Sequence, residues 1–159
     1  MSGKPASPGI VGVGETPALR HPGPDCSTAG LIAQAVRLAL DDAGLRPADV
    51  DGLGVASFTL RPDRAIDLAW RLGLTLGWCM QDEMGGASGI NMLRHAWLAL
   101  QAGQARTIVL AAGDHFTGAD FAALVRGYNR SAQDYLSPLG SACLLYTSPS
   151  PRDKRQFRM

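Results

Sequence analysis

The stretch GGASG, residues 85–89, is the most informative part of the sequence, because a strand-prone stretch precedes it and a long apolar stretch follows it. Residues 74–80 (LTLGWCM) are short and apolar and favour a buried β-strand. Residues 90–102 contain no proline and are closed by Gly103, which is typical of a buried helix. A small-residue turn between such elements directs backbone N–H groups and the positive end of the helix at one place. The sequence therefore predicts a site that activates a nucleophile or holds an anion.

Strands and helices alternate on both sides of this turn. In chain order we predict a strand at 10–13, a helix ending at Gly44, a strand at 50–58, a helix at 61–72, a strand at 74–80, a helix at 87–102, a strand at 107–112 and a short helix at 121–125. Residues 126–141 are polar and irregular. The alternation predicts an α/β fold with a mainly parallel sheet.

Helical periodicity indicates which faces of the two long helices are buried. In the first helix, Ser27 or Thr28 is a suitable cap, Gly44 supplies a left-handed end, and one face is apolar: Leu31, Ile32, Ala35, Val36, Ala39 and Leu40. The helix at 87–102 is apolar nearly all round, with one face made of Ile90, Leu93, Ala96, Trp97 and Leu100. Such a helix belongs in the interior of a layered fold.

Composition places the chain among globular proteins. Of 159 residues, 46% are hydrophobic and 18% charged, a composition that is typical of a folded protein with a buried core and not of a disordered chain. The net charge of +1 gives no reason to expect nucleic acid or a membrane surface as a partner. Cys26, Cys79 and Cys143 have neither CxxC nor zinc spacing. Since the chain also lacks a signal peptide or a membrane-length apolar run, we expect reduced thiols, a cytoplasmic protein and no metal site.

Four segments, in order and at the right spacing, make the chain resemble the N-terminal domain of the thiolase superfamily. They are IVGVGETP at 10–17, the region 31–53 with DDAGL and DVDGL, GGASG at 85–89, and AGQARTIVLAAG at 102–113. The family begins its buried central helix with Cys-Ala-Ser-Gly. The sterol-carrier and lipid-transfer branch is the most similar. The resemblance implies a truncated N-terminal half with a mainly parallel sheet around a buried central helix.

The resemblance also implies a function. The intact protein would act on carbon–carbon bonds of acyl-CoA thioesters as an acyltransferase or lipid-transfer protein, with the thioester as substrate and no separate cofactor. Gly86 stands where the nucleophilic cysteine would be, so a retro-aldol cleavage, with an OB-fold partner, is one expectation. A non-catalytic acyl-CoA-binding or partner subunit is the alternative. The full-length form would be a homodimer, and Gly86, Ala87, Ser88 and Gly89 would contact the substrate.

Other residues with nucleophilic or acid–base side chains have structural explanations. Ser88 fails the Gly-x-Ser-x-Gly pattern because Ile90 holds the last position, so we expect it to cap the helix. Cys79 is expected to be a buried structural thiol. His95 could face the core or a subunit contact, and His115 is either a strand-end functional residue or an ordinary loop residue, whereas His21 lies in a loop.

Two further patterns bear on organisation rather than on chemistry. GVGETP at 12–17 starts like a dinucleotide-binding fingerprint, but the third glycine is absent and the next helix begins too late, so we reject that interpretation. Residues 144–155 (LLYTSPSPRDKR) resemble a peptide translated from sequencing-adapter DNA. We therefore expect an incomplete thiolase N-terminal domain at 1–143 and a non-native or disordered tail at 144–159, with Cys143 at the junction.

Overall fold

The computed structural model describes residues 7–19, 23, 25–83, 85–131, 134 and 138. The chain divides into two compact units, Met1–His115 and Phe116–Met159. The expected tail at 144–159, together with Cys143 and His21, lies outside the described residues. No helix in the described ranges has the length and apolar character that crossing a bilayer requires.

A three-stranded parallel sheet forms the centre of the first unit. Its strands are β1 (Gly52–Ala56), β2 (Trp78–Asp82) and β3 (Ile108–Ala112), in the order β2-β1-β3. All five residues of β1 are buried because this strand pairs on both sides. The α/β class with a parallel sheet, expected from the alternation of elements, is confirmed.

Two helices cover one face of the sheet. Helix α1 (Thr28–Ala43) begins where Ser27 Oγ accepts a hydrogen bond from Gly30 N at 3.1 Å, and it ends at Gly44 with φ of 65°. Helix α2 (Arg64–Leu72) likewise ends at a left-handed glycine, Gly73. The main core lies between these helices and the sheet and contains Ile32, Ala33, Val36, Leu40, Val50, Leu53, Val55, Leu60, Ala65, Leu68, Ala69, Leu72 and Ala111.

Helix α3 (Ser88–Gln101) packs on the other face of the sheet. Side chains alternate along β1, so Leu53 and Val55 enter the main core, whereas Gly52 and Gly54 face side chains of β3 and Gly54 also faces α3. A Cβ on Gly54 would lie 2.7 Å from Leu110 Cδ2 and 3.5 Å from Met92 Sδ. The absence of a side chain at Gly54 therefore allows helix α3 to pack closely on the sheet.

The predicted strand at 10–13 does not form. The backbone of residues 7–19 is extended without strand pairing, and Ile10, Val11 and Val13 are 73%, 69% and 71% exposed. The segment lies against α1 instead, where Val13 N donates to Asp42 Oδ2 at 2.9 Å. Local β-propensity favoured a strand, but a strand must form hydrogen bonds with a neighbouring strand. This segment packs on the surface of a helix instead.

Two other predictions were wrong in detail. The strand expected at 74–80 begins at Trp78, because Gly77 N first bonds Asp51 O at 2.8 Å in the loop before β2. Helix α3 buries Ser88, Met92, Ala96 and Ala99, so Ala96 is the one buried member of the face predicted from periodicity, and the helix is not buried all round. When a helix is apolar on every side, the periodicity gives no means of choosing the face that meets the sheet.

In the second unit, helix α4 (Gly118–Ser131) is longer than the short helix predicted at 121–125 and includes residues expected to be irregular. Its start is a reciprocal cap. Asp120 N donates to Thr117 Oγ1 at 3.1 Å, and the Asp120 carboxylate accepts from the backbone N–H and hydroxyl of Thr117. Phe116 and Phe121 pack edge to face with ring centroids 6.2 Å apart.

Candidate functional site

A polar cavity of about 270 Å³ lies where the three parallel strands end. The carboxyl ends of parallel strands are the edge at which ligands usually bind in open α/β sheets. The cavity is lined by the ends of β1 and β3, the loops that follow them, and the turn between β2 and α3: Ala56, Ser57, Phe58, Asp82, Glu83, Gly85, Gly86, Ser88, Gly89, Ala112, Gly113 and Asp114.

The glycine turn, where the sequence predicts a site, lies at this cavity. Residues Gly85–Ala87 form a short 3₁₀ turn, and Gly85 adopts φ of 59°, which favours glycine. A Cβ on Gly86 or Gly89 would meet nothing within 4 Å. Gly86, Ser88 and Gly89 line the cavity, whereas Ala87 is not among the lining residues. Three of the four predicted contact residues are therefore brought together, and their role in substrate binding stays a prediction.

Ser88 does not cap α3. The capping residue is Ala87, which provides no side-chain acceptor, and Ser88 is the first residue of the helix and 3% exposed. Its hydroxyl donates to Asp82 Oδ1 at 2.8 Å, and Asn91 Nδ2 donates to Asp82 Oδ2. Asp82, at the end of β2, is itself buried. A buried carboxylate and two donors from the start of the helix thus stabilise the junction between β2 and α3.

Asp114 organises the opposite side of the cavity. Its Oδ1 accepts from Ser57 Oγ, Phe58 N and Thr59 N at 2.8 Å each, and from Thr59 Oγ1 at 2.9 Å. These four bonds fasten the loop after β1 to the loop after β3. His115 adds to the same network, since its backbone N–H donates to the hydroxyls of Thr28 and Thr59 at 3.2 Å.

Glu83 is the third carboxylate at the cavity. It is more exposed than Asp82, and it forms an ion pair with Arg64 at the start of α2 and accepts a hydrogen bond from Gln81 Nε2. The described lining therefore carries three acidic side chains and no basic one. Its hydroxyls, from Ser57 and Ser88, both donate to carboxylates.

The other nucleophilic and titratable candidates lie away from this cavity or outside the described residues. Cys79 is exposed rather than buried, and it lies on β2, which is an edge strand. Desolvation by neighbouring atoms nevertheless raises the pKa of the Cys79 thiol, which lowers its reactivity. His95 is exposed on α3, which excludes the core position considered for it. Within the described ranges, no group of three or more His, Cys, Asp or Glu side chains is arranged to hold a metal ion.

Sequence reasoning missed Asp82, Asp114 and Ser57. A usable signal existed, because each residue stands at or within two positions of the end of a parallel strand. That signal becomes informative only when the strand ends are known, and the predicted third strand ended at Met80, two residues before Asp82.

Comparisons with known proteins agree with the fold. No family model matches the chain. It is 36% identical over 110 residues to a 17-hydroxy-3-oxo-4-pregnene-20-carboxyl-CoA lyase of Mycobacterium tuberculosis, covering 69% of this chain and 27% of the relative. It is 34% identical over 94 residues to a β-ketoacyl-[acyl-carrier-protein] synthase III of Cereibacter sphaeroides, covering 57% and 29%. The solved Ltp2-ChsH2(DUF35) aldolase superposes with a TM-score of 0.53 at 30% identity, covering 73% of this chain and 31% of that chain.

These similarities and the parallel α/β architecture define the class: the chain belongs to the thiolase-like superfamily. Both the lyase-type and the synthase-type relatives fall within that class. The chain spans less than a third of the length of the curated relatives given above.

Proposed function

We propose that the protein of which this chain forms the N-terminal region acts on carbon–carbon bonds of acyl-CoA thioesters, without a covalent acyl-enzyme. The reaction class that fits is retro-aldol cleavage. The observation that carries the proposal is the glycine turn at the cavity, which presents Gly86 where the family's nucleophilic cysteine is expected. The described lining contains no thiol.

The side chains at the cavity support chemistry by proton transfer rather than by nucleophilic attack. The hydroxyls of Ser57 and Ser88 donate to carboxylates that also hold the local structure together, so neither is arranged as an activated nucleophile. Every described hydrogen bond to Asp114 goes to Oδ1, which leaves Oδ2 as the oxygen available for a proton. Backbone N–H groups of the turn at 85–89 would orient the thioester carbonyl.

The similarity to a lyase and an aldolase favours cleavage over condensation as the direction of this chemistry. The solved relative is the Ltp2-ChsH2(DUF35) aldolase, which combines two named proteins, and this supports the proposal that this protein works with a second, OB-fold protein. We further propose a homodimer, a cytoplasmic location and a lipid or steroid side chain as the acyl group.

The decisive experiment uses the longest natural form of the protein, recovered by sequencing the source DNA across the codons for residues 141–155. Single-turnover mixing with a β-hydroxyacyl-CoA is followed by intact-mass spectrometry. We expect release of an acyl-CoA and a carbonyl product with no mass increase on the protein. An acyl adduct that forms and decays at the rate of turnover contradicts the non-covalent route.

A second candidate, a non-catalytic acyl-CoA-binding subunit, is favoured by one observation. Asp114 accepts four hydrogen bonds from the loop at 57–59, which is the arrangement of a structural carboxylate. Under this alternative, Asp114→Asn lowers the melting temperature and leaves acyl-CoA binding unchanged. Under the proposed function, the same substitution abolishes cleavage while binding measured by calorimetry persists.

A further inference from the structure

The end of β2 and the start of α3 contain a buried charge that the proposed function does not use. Asp82 is 4% exposed, and its two oxygens accept from Ser88 Oγ and from Asn91 Nδ2. Ser88 and Asn91 both belong to the first turn and a half of α3. Both hydrogen bonds are donated to the carboxyl group, which favours its ionised form, and that charge lies at the helix end where backbone dipoles concentrate positive potential.

We infer that Asp82 is a positioning residue whose buried carboxylate is the internal counter-charge of the α3 N-terminus, so that the adjacent turn accepts a neutral acyl carbonyl and disfavours an anion. A helix N-terminus stabilises a thiolate or another anion because its dipole is uncompensated. Here Asp82 compensates it from inside the protein. The carbonyl part of this inference rests on the proposed function, whereas the electrostatic part does not.

The other charges around the cavity also make the electrostatic potential at the turn more negative. Glu83 follows Asp82, and Asp114 lies across the cavity at the end of β3. The positive charge of Arg64, at the start of α2, is paired with Glu83. On α3, the titratable side chains Arg94 and His95 are exposed and lie beyond the first turn. Asp82 differs from the other two acids because burial protects its charge from solvent screening.

A probe thiol at residue 86 measures this potential directly. Gly86→Cys introduces a side chain where a Cβ meets nothing within 4 Å. The background is the whole chain with Cys26, Cys79 and Cys143 replaced by Ser. The thiol pKa is read from thiolate ultraviolet absorbance and from the pH dependence of iodoacetamide alkylation. We expect a pKa at or above the ordinary value of about 8.5, whereas an uncompensated helix terminus would lower it.

Asp82→Asn in the same background removes the charge and keeps a side chain that can hydrogen-bond to Ser88 and, after rotation of its amide, to Asn91. We expect the pKa of the probe thiol to fall by about one unit or more. Glu83→Gln is the matched control, since it removes one exposed charge from the same cavity, and we expect a shift of only a few tenths of a unit.

Two outcomes overturn the inference. The first is a probe-thiol pKa well below the ordinary range while Asp82 is intact, and this test remains valid if Asp82→Asn does not fold. The second is a folded Asp82→Asn variant, verified by circular dichroism, in which the pKa of the probe thiol is unchanged. Neither measurement requires substrate or turnover, so failure here is distinct from failure of the proposed function.

Discussion

Gly12 and Gly14 illustrate how single residues decide where a segment lies. A Cβ on Gly14 would stand 2.4 Å from Ala39 N and 2.5 Å from Ala35 O, and one on Gly12 would stand 2.5 Å from Ala39 O. The absence of side chains at these positions therefore allows residues 7–19 to lie directly on the backbone of α1. The same GVG sequence that starts like a nucleotide-binding fingerprint is explained by packing.

Gly14→Ala should destabilise the chain by about 1–3 kcal/mol, because the obstructing atoms are helix backbone and cannot move aside easily. The free energy of unfolding from urea titration measures the effect. Gly9→Ala is the control, since a Cβ there meets nothing within 4 Å and should change stability little. Equal effects of the two substitutions would show that the segment does not pack on α1.

Asp51 connects the loops that precede β1 and β3, and its charge makes this connection dependent on pH. Burial alone would raise the pKa of Asp51, but hydrogen bonds from the backbone N–H groups of Thr107 and Arg106, and the Arg106 guanidinium, outweigh it and lower the pKa. A lowered pKa means that the folded state favours the ionised form. The stabilisation is present above the unfolded-state pKa of about 3.9 and is lost as pH falls below it.

Asp51→Asn should therefore reduce stability at neutral pH and flatten the decline of the melting temperature on acidification. Thermal melts from about pH 7 to 3 test this, because the decline of the parent chain spans the titration of carboxyl groups. Asp41→Asn is the comparison, since the structure describes no hydrogen bond to that side chain. If the melting temperatures of the parent and of Asp51→Asn decline in parallel as the pH falls, the Asp51 carboxylate is not the source of this pH dependence.

At the scale of elements, residue type alone predicts the two ends of α1 correctly but does not predict the cap of α3. Ser27 and Gly44 form the cap and the left-handed end that their residue types indicate, and the helix bounds follow. At α3, Ser88 stands at the expected boundary but donates to Asp82 instead of capping. A local rule holds where its groups face water, and it fails where a buried charge competes for the hydroxyl.

Ser27→Ala should cost about 1 kcal/mol of stability, because the Gly30 N–H loses its acceptor, whereas Ser27→Asp should retain the cap. Urea titration followed by circular dichroism distinguishes the two variants. If both lose the same stability, the Ser27 hydroxyl does not act as the cap.

At the scale of the first unit, the main feature is apolar surface that is exposed to solvent. Helix α3 exposes Ile90, Leu93, Trp97 and Leu98. Next to it, an apolar groove of about 540 Å³ runs between residues 8–14, α1, α3 and β3. Exposed patches of this kind usually mark surfaces that pack against other protein or that aggregate.

We therefore expect the 159-residue chain to self-associate and to dissolve poorly. Ile90→Gln combined with Trp97→Gln should raise the monomer fraction in size-exclusion chromatography several-fold, because both side chains are exposed and contribute little to the core. Arg94→Gln, on the same helix, should leave the distribution unchanged. A sharp monomeric peak with cooperative melting for the parent chain would contradict this expectation.

Local signals in the sequence are enough to predict the class of fold and to point to the turn at 85–89 as the candidate site. Periodicity, glycine ends and the alternation of elements are local signals, so the parallel α/β order, helix α1 and the turn at 85–89 could be read from them. The contacts between distant segments, in contrast, are seen in the folded structure alone. That structure left residues 10–13 outside the sheet, chose the face of α3 that is buried, and assembled Asp82, Asp114 and Ser57 at one cavity. Contacts between residues far apart in sequence depend on which surfaces pack together, and no local pattern contains that information.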